Sequence, residues 1–203
     1  MKIIIYSINY FPELIGIGKY NGEMAEWLAD KGHDVSVITA PPYYPEWKIN
    51  SDYSKFWFKK EKQNNVTVIR CPIWVPSKPS GLKRIVHLFS FALTSFPIMM
   101  WYAIRHRPDV IFVVEPPIFC APTTLLLSKF CGARSWLHVQ DFEIDAAFDL
   151  GILKSERLKK SIGCVETILM RRFEVVSTIL VKMLERLHKK GVDINNTLLF
   201  ENE

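Results

Sequence analysis

The sequence predicts an α/β protein built on a doubly wound parallel sheet, with helices covering both faces. Two observations predict it. Apolar runs of strand length alternate with stretches of helical periodicity along the whole chain. The strand-like runs, "KIIIYSI", "DVSVIT", "VTVIRC", "DVIFVV" and "ARSWLHV", are near-continuous apolar or β-branched stretches rather than half-polar stripes. Strands buried on both faces read that way. With 203 residues, 49% of them apolar and 23% charged, the chain has globular composition and enough length for one generous domain or two small ones.

Each element has its own signal. Lys2 to Ile8 is a short β-branched run bounded by Asn9 and Pro12, hence a buried strand. After the loop around Gly16 and Gly18, Tyr20, Met24, Trp27 and Leu28 share one helical face, and Gly32 caps the end. "DVSVIT" is the second strand, stopped by Pro41-Pro42. The segment "APPYYPEWKINSDYSKFWFKKEKQ" reads as one long loop of prolines, aromatics and lysines, and loops of that length are usually functional or mobile. "VTVIRC" is the third strand. Gly81 to Arg107 is strongly apolar and leads straight into the strand "DVIFVV". "CAPTTLLLSKFCG" is a helix closed by a glycine, and "ARSWLHV" is the next strand. Leu158, Ile162, Val165 and Leu169 recur at helical spacing before the short strand "EVVST". Ile179, Met183 and Leu187 mark a last helix stopped by Gly191, and "TLLF" could begin one more strand. In a sheet of this kind ligands bind at the carboxyl ends of strands, so the loops after Ile8, Thr39, Val114 and Val139 are the informative ones.

The glycine loop excludes some chemistries. A dinucleotide fingerprint needs G-x-G-x-x-G directly after the strand and a carboxylate closing the second strand. Here Asn21 stands at the third glycine position, and the second strand ends in Ile38-Thr39, with Asp34 at its wrong end. No G-x-x-x-x-G-K-[ST] is present either. The remaining functional reading is a loop that brings backbone amides and the positive end of a helix to a phosphate or leaving group; the plain alternative is a tight turn. Glu115 sits at another carboxyl strand end and is a candidate for the same cleft. The net charge of +5 fits an anionic partner without choosing one. The four cysteines show no C-x-x-C pair and no zinc spacing, so they are expected to be reduced, buried thiols, and no metal is expected.

"NYFPELIGIGKYNGEMAEWLADKGHDVSVITAPPYYP", "RPDVIFVVEPPIF", "LHVQDFEIDAAFDLGIL" and "RRFEVVSTILVKMLERLHKKGVD" stand in order along nearly the whole chain. In that order and spacing they resemble the first, Rossmann-like domain of bacterial glycosyltransferases of family 4. These have the GT-B fold, and more narrowly the sequence resembles the branch that makes colanic acid and other extracellular polysaccharides. The resemblance implies that Gly16 and Gly18 face the cleft near the donor phosphates, with Lys19 and Tyr20 as neighbours at the helix start. It places Gln140 where many members have a histidine that contacts the transferred sugar; Gln can hydrogen-bond a hydroxyl but cannot act as a base. Asp141 is then the candidate to orient or deprotonate an acceptor hydroxyl, its alternative being a helix cap. His138, one step further into the strand, reads as a core histidine.

What the resemblance implies for the whole is a retaining, metal-independent transfer from a nucleotide sugar to an acceptor, often a polyprenyl-linked saccharide, with no cofactor and no nucleic-acid partner. It further implies that residues 1–203 are the acceptor-side domain, with 192–203 leading toward a hinge, and that a second domain binds the donor. A chain with this domain alone would then be inactive by itself. The pair Glu166 and Glu174 matches the donor-domain spacing of two glutamates only by coincidence. A different class of reading remains open: a non-catalytic docking or interaction domain that keeps the fold. The twenty apolar residues Ile85 to Ile104 are long enough to span a bilayer. A span would put two halves of one sheet on opposite sides of the membrane, which leaves two readings: a helix covered by the sheet and its neighbours, or one whose outer face docks on lipid. Lys83, Arg84, Arg105 and Arg107 at its ends, with Trp101 and Tyr102, are the expected membrane-facing residues. The implied location is the inner face of the bacterial cytoplasmic membrane.

Overall fold

The computed structural model describes residues 1–114, 118–142 and 156–200. Glu115, the acidic segment 143–150 and the terminal residues 201–203 lie outside the described residues, so the expectation for Glu115 stays where the sequence left it. Among the described residues eight strands form one sheet in the order β3-β4-β2-β1-β5-β6-β7-β8. In chain order they are β1 (Lys2–Tyr6), β2 (Asp34–Thr39), β3 (Lys59–Gln63), β4 (Val66–Arg70), β5 (Val110–Val114), β6 (Arg134–Val139), β7 (Val175–Thr178) and β8 (Thr197–Leu199). All neighbours are parallel except β3, which pairs antiparallel with β4. The helices are α1 (Ile17–Asp30), α2 (Gly81–His106), α3 (Ala121–Cys131), α4 (Glu156–Met170) and α5 (Val181–Lys189).

Strand alternation divides the core in two. Ile3, Ile5, Val35, Val37, Val66 and Val68 point to the face covered by α1. Ile4, Tyr6, Ile38, Ile69, Ile111 and Leu137 point to the other, where α2 and α3 contribute Phe91, Met99, Ala103 and Leu127. The strands are buried on both sides, which is why they read as unbroken apolar runs. α2 connects β4 to β5 within one sheet, and its Ser95 seals it to the centre: Tyr6 Oη donates to Ser95 Oγ (2.5 Å), which donates to the Phe91 carbonyl (2.6 Å).

Several expectations are corrected here. The long loop contains β3, whose sequence "KKEKQ" carries no apolar alternation because it is a polar edge strand paired on one side only. It turns into β4 through Asn64 and Asn65, both at positive φ (43° and 66°), a hairpin signal of the type Asn favours. α1 does not bury Trp27, which is 60% exposed beneath Lys31; its fully buried stripe is Gly18, Asn21, Gly22 and Ala25, while Met24 and Leu28 pack against the core as the periodicity predicts. Tyr102 is 2% exposed and stacked on His106, so it is a core residue and takes no part in any membrane-facing surface. On α4, Val165 is exposed and the inward positions are Glu166 and Met170. Glu166 is an ion-pair residue, its Oε2 2.5 Å from Lys190 Nζ, tying α4 to the end of α5. All four cysteines are free, but only Cys71 and Cys120 are buried; Cys131 is half-buried and Cys164 exposed.

Candidate functional site

The loops leaving the carboxyl ends of β1, β2 and β6 meet the first turns of α2 around a cleft of about 220 Å3. Gly16, Tyr43, Trp47, Arg84, His87 and Asp141 are among its lining residues. Two of the residues expected from sequence, Gly16 and Asp141, are thus brought together from positions 125 apart in the chain. Asp141 is exposed at the rim, directly after Gln140, which is half-buried at the exit of β6 and is not among the lining residues. Arg84 lines this cleft with its guanidinium 5.8 Å from the Trp47 ring centroid. Lys19 lies instead along its own helix, 3.8 Å from Glu23 and 5.6 Å from the Tyr20 ring centroid; neither Lys19 nor Tyr20 lines the cleft.

The two glycines have different jobs. Gly16 caps α1 at φ +60°, ψ −135°, a conformation open essentially to glycine, and it leaves the start of the helix facing the cleft. Gly18 is buried because a neighbour needs its space: a Cβ there would stand 2.7 Å from the Cβ of Glu13. Asn21, at the position where a dinucleotide loop would have its third glycine, is buried and donates through Nδ2 to Ser7 Oγ (2.8 Å) and to the Asn9 carbonyl (3.2 Å). A side chain therefore pins the strand exit to the helix where a dinucleotide site would need close backbone packing.

Glu13 and Arg70 were not visible in the sequence as site residues, yet they hold the cleft loops. Glu13 is 5% exposed; its Oε1 accepts from the backbone amides of Tyr43 and Tyr44 (2.9 Å each) and its Oε2 from Asn9 Nδ2 (2.8 Å). Burial raises its pKa, and the three hydrogen bonds to the carboxylate oppose that rise. Arg70, buried at the end of β4, donates to Glu61 Oε1 (2.6 Å), the Ala40 carbonyl (3.1 Å) and the Phe11 carbonyl (2.6 Å). One charged side chain thereby fixes the loops after β1 and β2 and the edge strand β3. The only signal for either was a charged residue inside or beside an apolar run.

His87 is buried under the cleft wall, 4.8 Å from the Tyr43 ring centroid and 5.3 Å from that of Trp47. Its Nδ1–H donates to the Trp74 carbonyl (2.6 Å), and burial lowers its pKa to about 4, so it is neutral at physiological pH. His138 behaves as a core histidine: Trp136 Nε1–H donates to Ser177 Oγ, and that hydroxyl donates to His138 Nδ1 (2.8 Å each). Burial lowers its pKa to about 4 as well. No cluster of three or more His, Cys, Asp or Glu suited to a metal occurs among the described residues.

Residues 16–203 match the profile of the glycosyl transferase 4-like domain. The chain is 48% identical over 206 residues to WcaI of Escherichia coli (strain K12), provisionally named a colanic acid biosynthesis glycosyl transferase. That match takes in 100% of this chain and 50% of WcaI, so the chain spans about half the length of this curated relative. The catalytic domain of starch synthase IV from Arabidopsis thaliana, bound to ADP and acarbose, is similar with a TM-score of 0.63 at 13% identity, over 100% of this chain and 51% of that one. Phytolacca americana UGT2, complexed with UDP-2-fluoroglucose and pterostilbene, is similar with a TM-score of 0.55 at 11% identity, over 98% and 53%. At such identities the likeness is one of fold: the sheet with its helices corresponds to one domain of GT-B transferases.

Proposed function

Because the chain belongs to the family of glycosyl transferase 4-like domains, we propose that it is the acceptor-side half of a retaining, metal-independent transferase of cell-surface polysaccharide synthesis. The donor is a nucleotide sugar, held mainly by a second domain, and the acceptor is a saccharide on a polyprenyl carrier at the inner face of the cytoplasmic membrane. In the reaction, an acceptor hydroxyl oxygen bonds to the anomeric carbon as the bond from that carbon to the donor phosphate breaks, and the nucleoside diphosphate departs. The hydroxyl proton passes to the departing phosphate. Asp141 orients that hydroxyl from the rim, and the start of α1 behind Gly16, with the Arg84 cation across the cleft, offsets the negative charge that develops on the leaving group. Gln140 contributes a neutral hydrogen bond at most.

The observation that carries this reading is the meeting of Gly16, Arg84 and Asp141 in one cleft at the carboxyl edge of the sheet. Calorimetric titration of the chain with GDP- and UDP-sugars tests the division of labour. No binding tighter than about millimolar is expected, since a nucleotide needs the second domain; micromolar binding would overturn the acceptor-half reading. Adding the other half of a WcaI-like enzyme in trans should then restore sugar transfer to lipid-linked acceptors, and Asp141→Asn should lower that transfer roughly 100-fold or more.

A further inference from the structure

The two most exposed aromatic side chains among the described residues are adjacent: Phe56 is 81% and Trp57 76% exposed, with Phe58 half-exposed beside them. The turn that presents them is built. Ser54 Oγ accepts from the backbone amides of Phe56 and Trp57 (3.1 Å each), which fixes the tip. At its base, Lys59 Nζ lies 4.3 Å from the Tyr53 ring centroid and Lys60 Nζ 5.8 Å from that of Tyr102 on α2. Residues 48–62 carry five lysines against Asp52 and Glu61, and Glu61 is already engaged by Arg70 and Lys59.

The helix beside the tip continues the same chemistry. α2 contains no carboxylate in 26 residues and exposes Leu82, Phe89, Leu93, Met100, Trp101 and Ile104. A groove of about 620 Å3 lies between tip and helix, lined by Lys55, Phe56 and Phe58 from the one and Thr94 from the other, with Trp74 between. Trp47 lines both this groove and the cleft, so the apolar surface runs to the rim of the candidate site.

We propose that the Phe56-Trp57-Phe58 tip is a membrane-insertion element that enters the headgroup–acyl boundary of an anionic bilayer while the lysines around it meet lipid phosphates. Aromatic side chains ringed by lysine suit that boundary. The core of a protein interface is depleted in lysine, which argues against a protein partner on the tip. The proposal rests on the membrane-facing reading of α2 for the orientation of the chain. It adds a second anchor on a different element, and it sets the mouth of the cleft at the bilayer surface.

The test is cosedimentation of the chain with vesicles of phosphatidylcholine, with and without phosphatidylglycerol. Wild type is compared with a tip variant, F56S/W57S/F58S, and a helix variant, L93S/M100S. Wild type should pellet with the anionic vesicles, less so as salt rises above about 0.1 M. The tip variant should lose roughly tenfold or more of this partition with unchanged circular dichroism and thermal midpoint, its replaced side chains being exposed. In a Trp74→Phe/Trp101→Phe background, which silences the other exposed tryptophans beside the tip and on α2, Trp57→Phe should still bind but lose most of the remaining fluorescence quenching by brominated lipids. A tip variant that pellets like wild type, or quenching in that background that Trp57→Phe leaves unchanged, overturns the insertion. Loss of binding in the helix variant alone keeps the α2 reading and sinks the tip. Loss in the tip variant alone does the reverse. A wild type that binds neither vesicle sinks both and makes the aromatic tip a protein contact.

Discussion

At the scale of single residues, the glycines give the sharpest test of how the cleft is made. Gly16→Ala meets nothing within 4 Å but must hold φ +60°, while Gly18→Ala keeps an ordinary helical backbone and drives a Cβ against Glu13. Both should cost roughly 1–3 kcal/mol, one through backbone strain and the other through overpacking. A double-mutant cycle separates them in urea unfolding. Glu13→Gly removes the clashing Cβ, so it should couple to Gly18→Ala by about 1 kcal/mol or more and to Gly16→Ala hardly at all. Equal coupling to both would mean that the Glu13–Gly18 contact is not what requires the glycine. The buried histidines give a pH dependence. His87 and His138 are held near 4 by burial, whereas an unfolded chain takes up the proton near 6.5. The unfolded state therefore binds more protons as pH falls below 6.5, and stability drops toward pH 4, by about 2 kcal/mol per histidine at pH 5. Glu13, raised by burial, works in the opposite direction and nearer the carboxylate range. Thermal midpoints between pH 7 and 5 should fall accordingly, and less steeply in His138→Gln, which keeps an acceptor for Ser177. A flat profile would contradict the neutral burial of both rings.

At the scale of elements, Arg70 shows what holds the cleft loops in register. Arg70→Met leaves the carbonyls of Phe11 and Ala40 without this donor and Glu61 with only Lys59 and Gln63 as partners, a loss of roughly 3–5 kcal/mol. Hydrogen exchange should quicken in residues 9–16 and 40–47 before it does in β1 or β5; uniform acceleration would argue for a plain core defect. The same residue marks the limit of sequence reading. The parallel strands were legible because two-sided burial writes itself as an apolar run, and the loops at their carboxyl ends followed from topology, which pointed to the glycine loop with Gly16, whereas Asp141 came from the family resemblance. β3 was not legible, since an edge strand paired on one side, whose half-buried positions are the polar Glu61 and Gln63, has no apolar residues to alternate. Glu13 and Arg70 were missed for a related physical reason: their roles depend on backbone groups of distant loops, and backbone carbonyls and amides leave no trace in residue identity. Arg84 reads in the sequence only as a basic flank of an apolar helix, whereas in the structure it lines the cleft beside Trp47, which a loop 37 residues earlier supplies.

At the scale of the whole molecule, polarity is unevenly placed. One sheet face is closed by α1 with Lys19, Glu23 and Lys31 outward, and the other carries α2, whose outer stripe is apolar from Leu82 to Ile104 and adjoins the aromatic tip. Soluble monomers rarely leave contiguous apolar patches beyond roughly 300–600 Å2 uncovered, and larger ones are covered by lipid, by a partner or by a second copy. Without a bilayer, this chain should therefore self-associate in a concentration-dependent way, despite a net charge of +5 that favours separation. Sedimentation velocity should show the shift to larger species in plain buffer and its reversal by a mild non-ionic detergent. Raising salt distinguishes the driving forces. Screening the lysines removes their mutual repulsion and leaves the apolar term, so association should strengthen with salt, whereas binding to anionic vesicles should weaken under the same change. The two opposite salt responses follow only if one surface combines an apolar stripe with unneutralised lysines. A chain that stays monomeric at high concentration and high salt would show that its stripe is already satisfied within the fold.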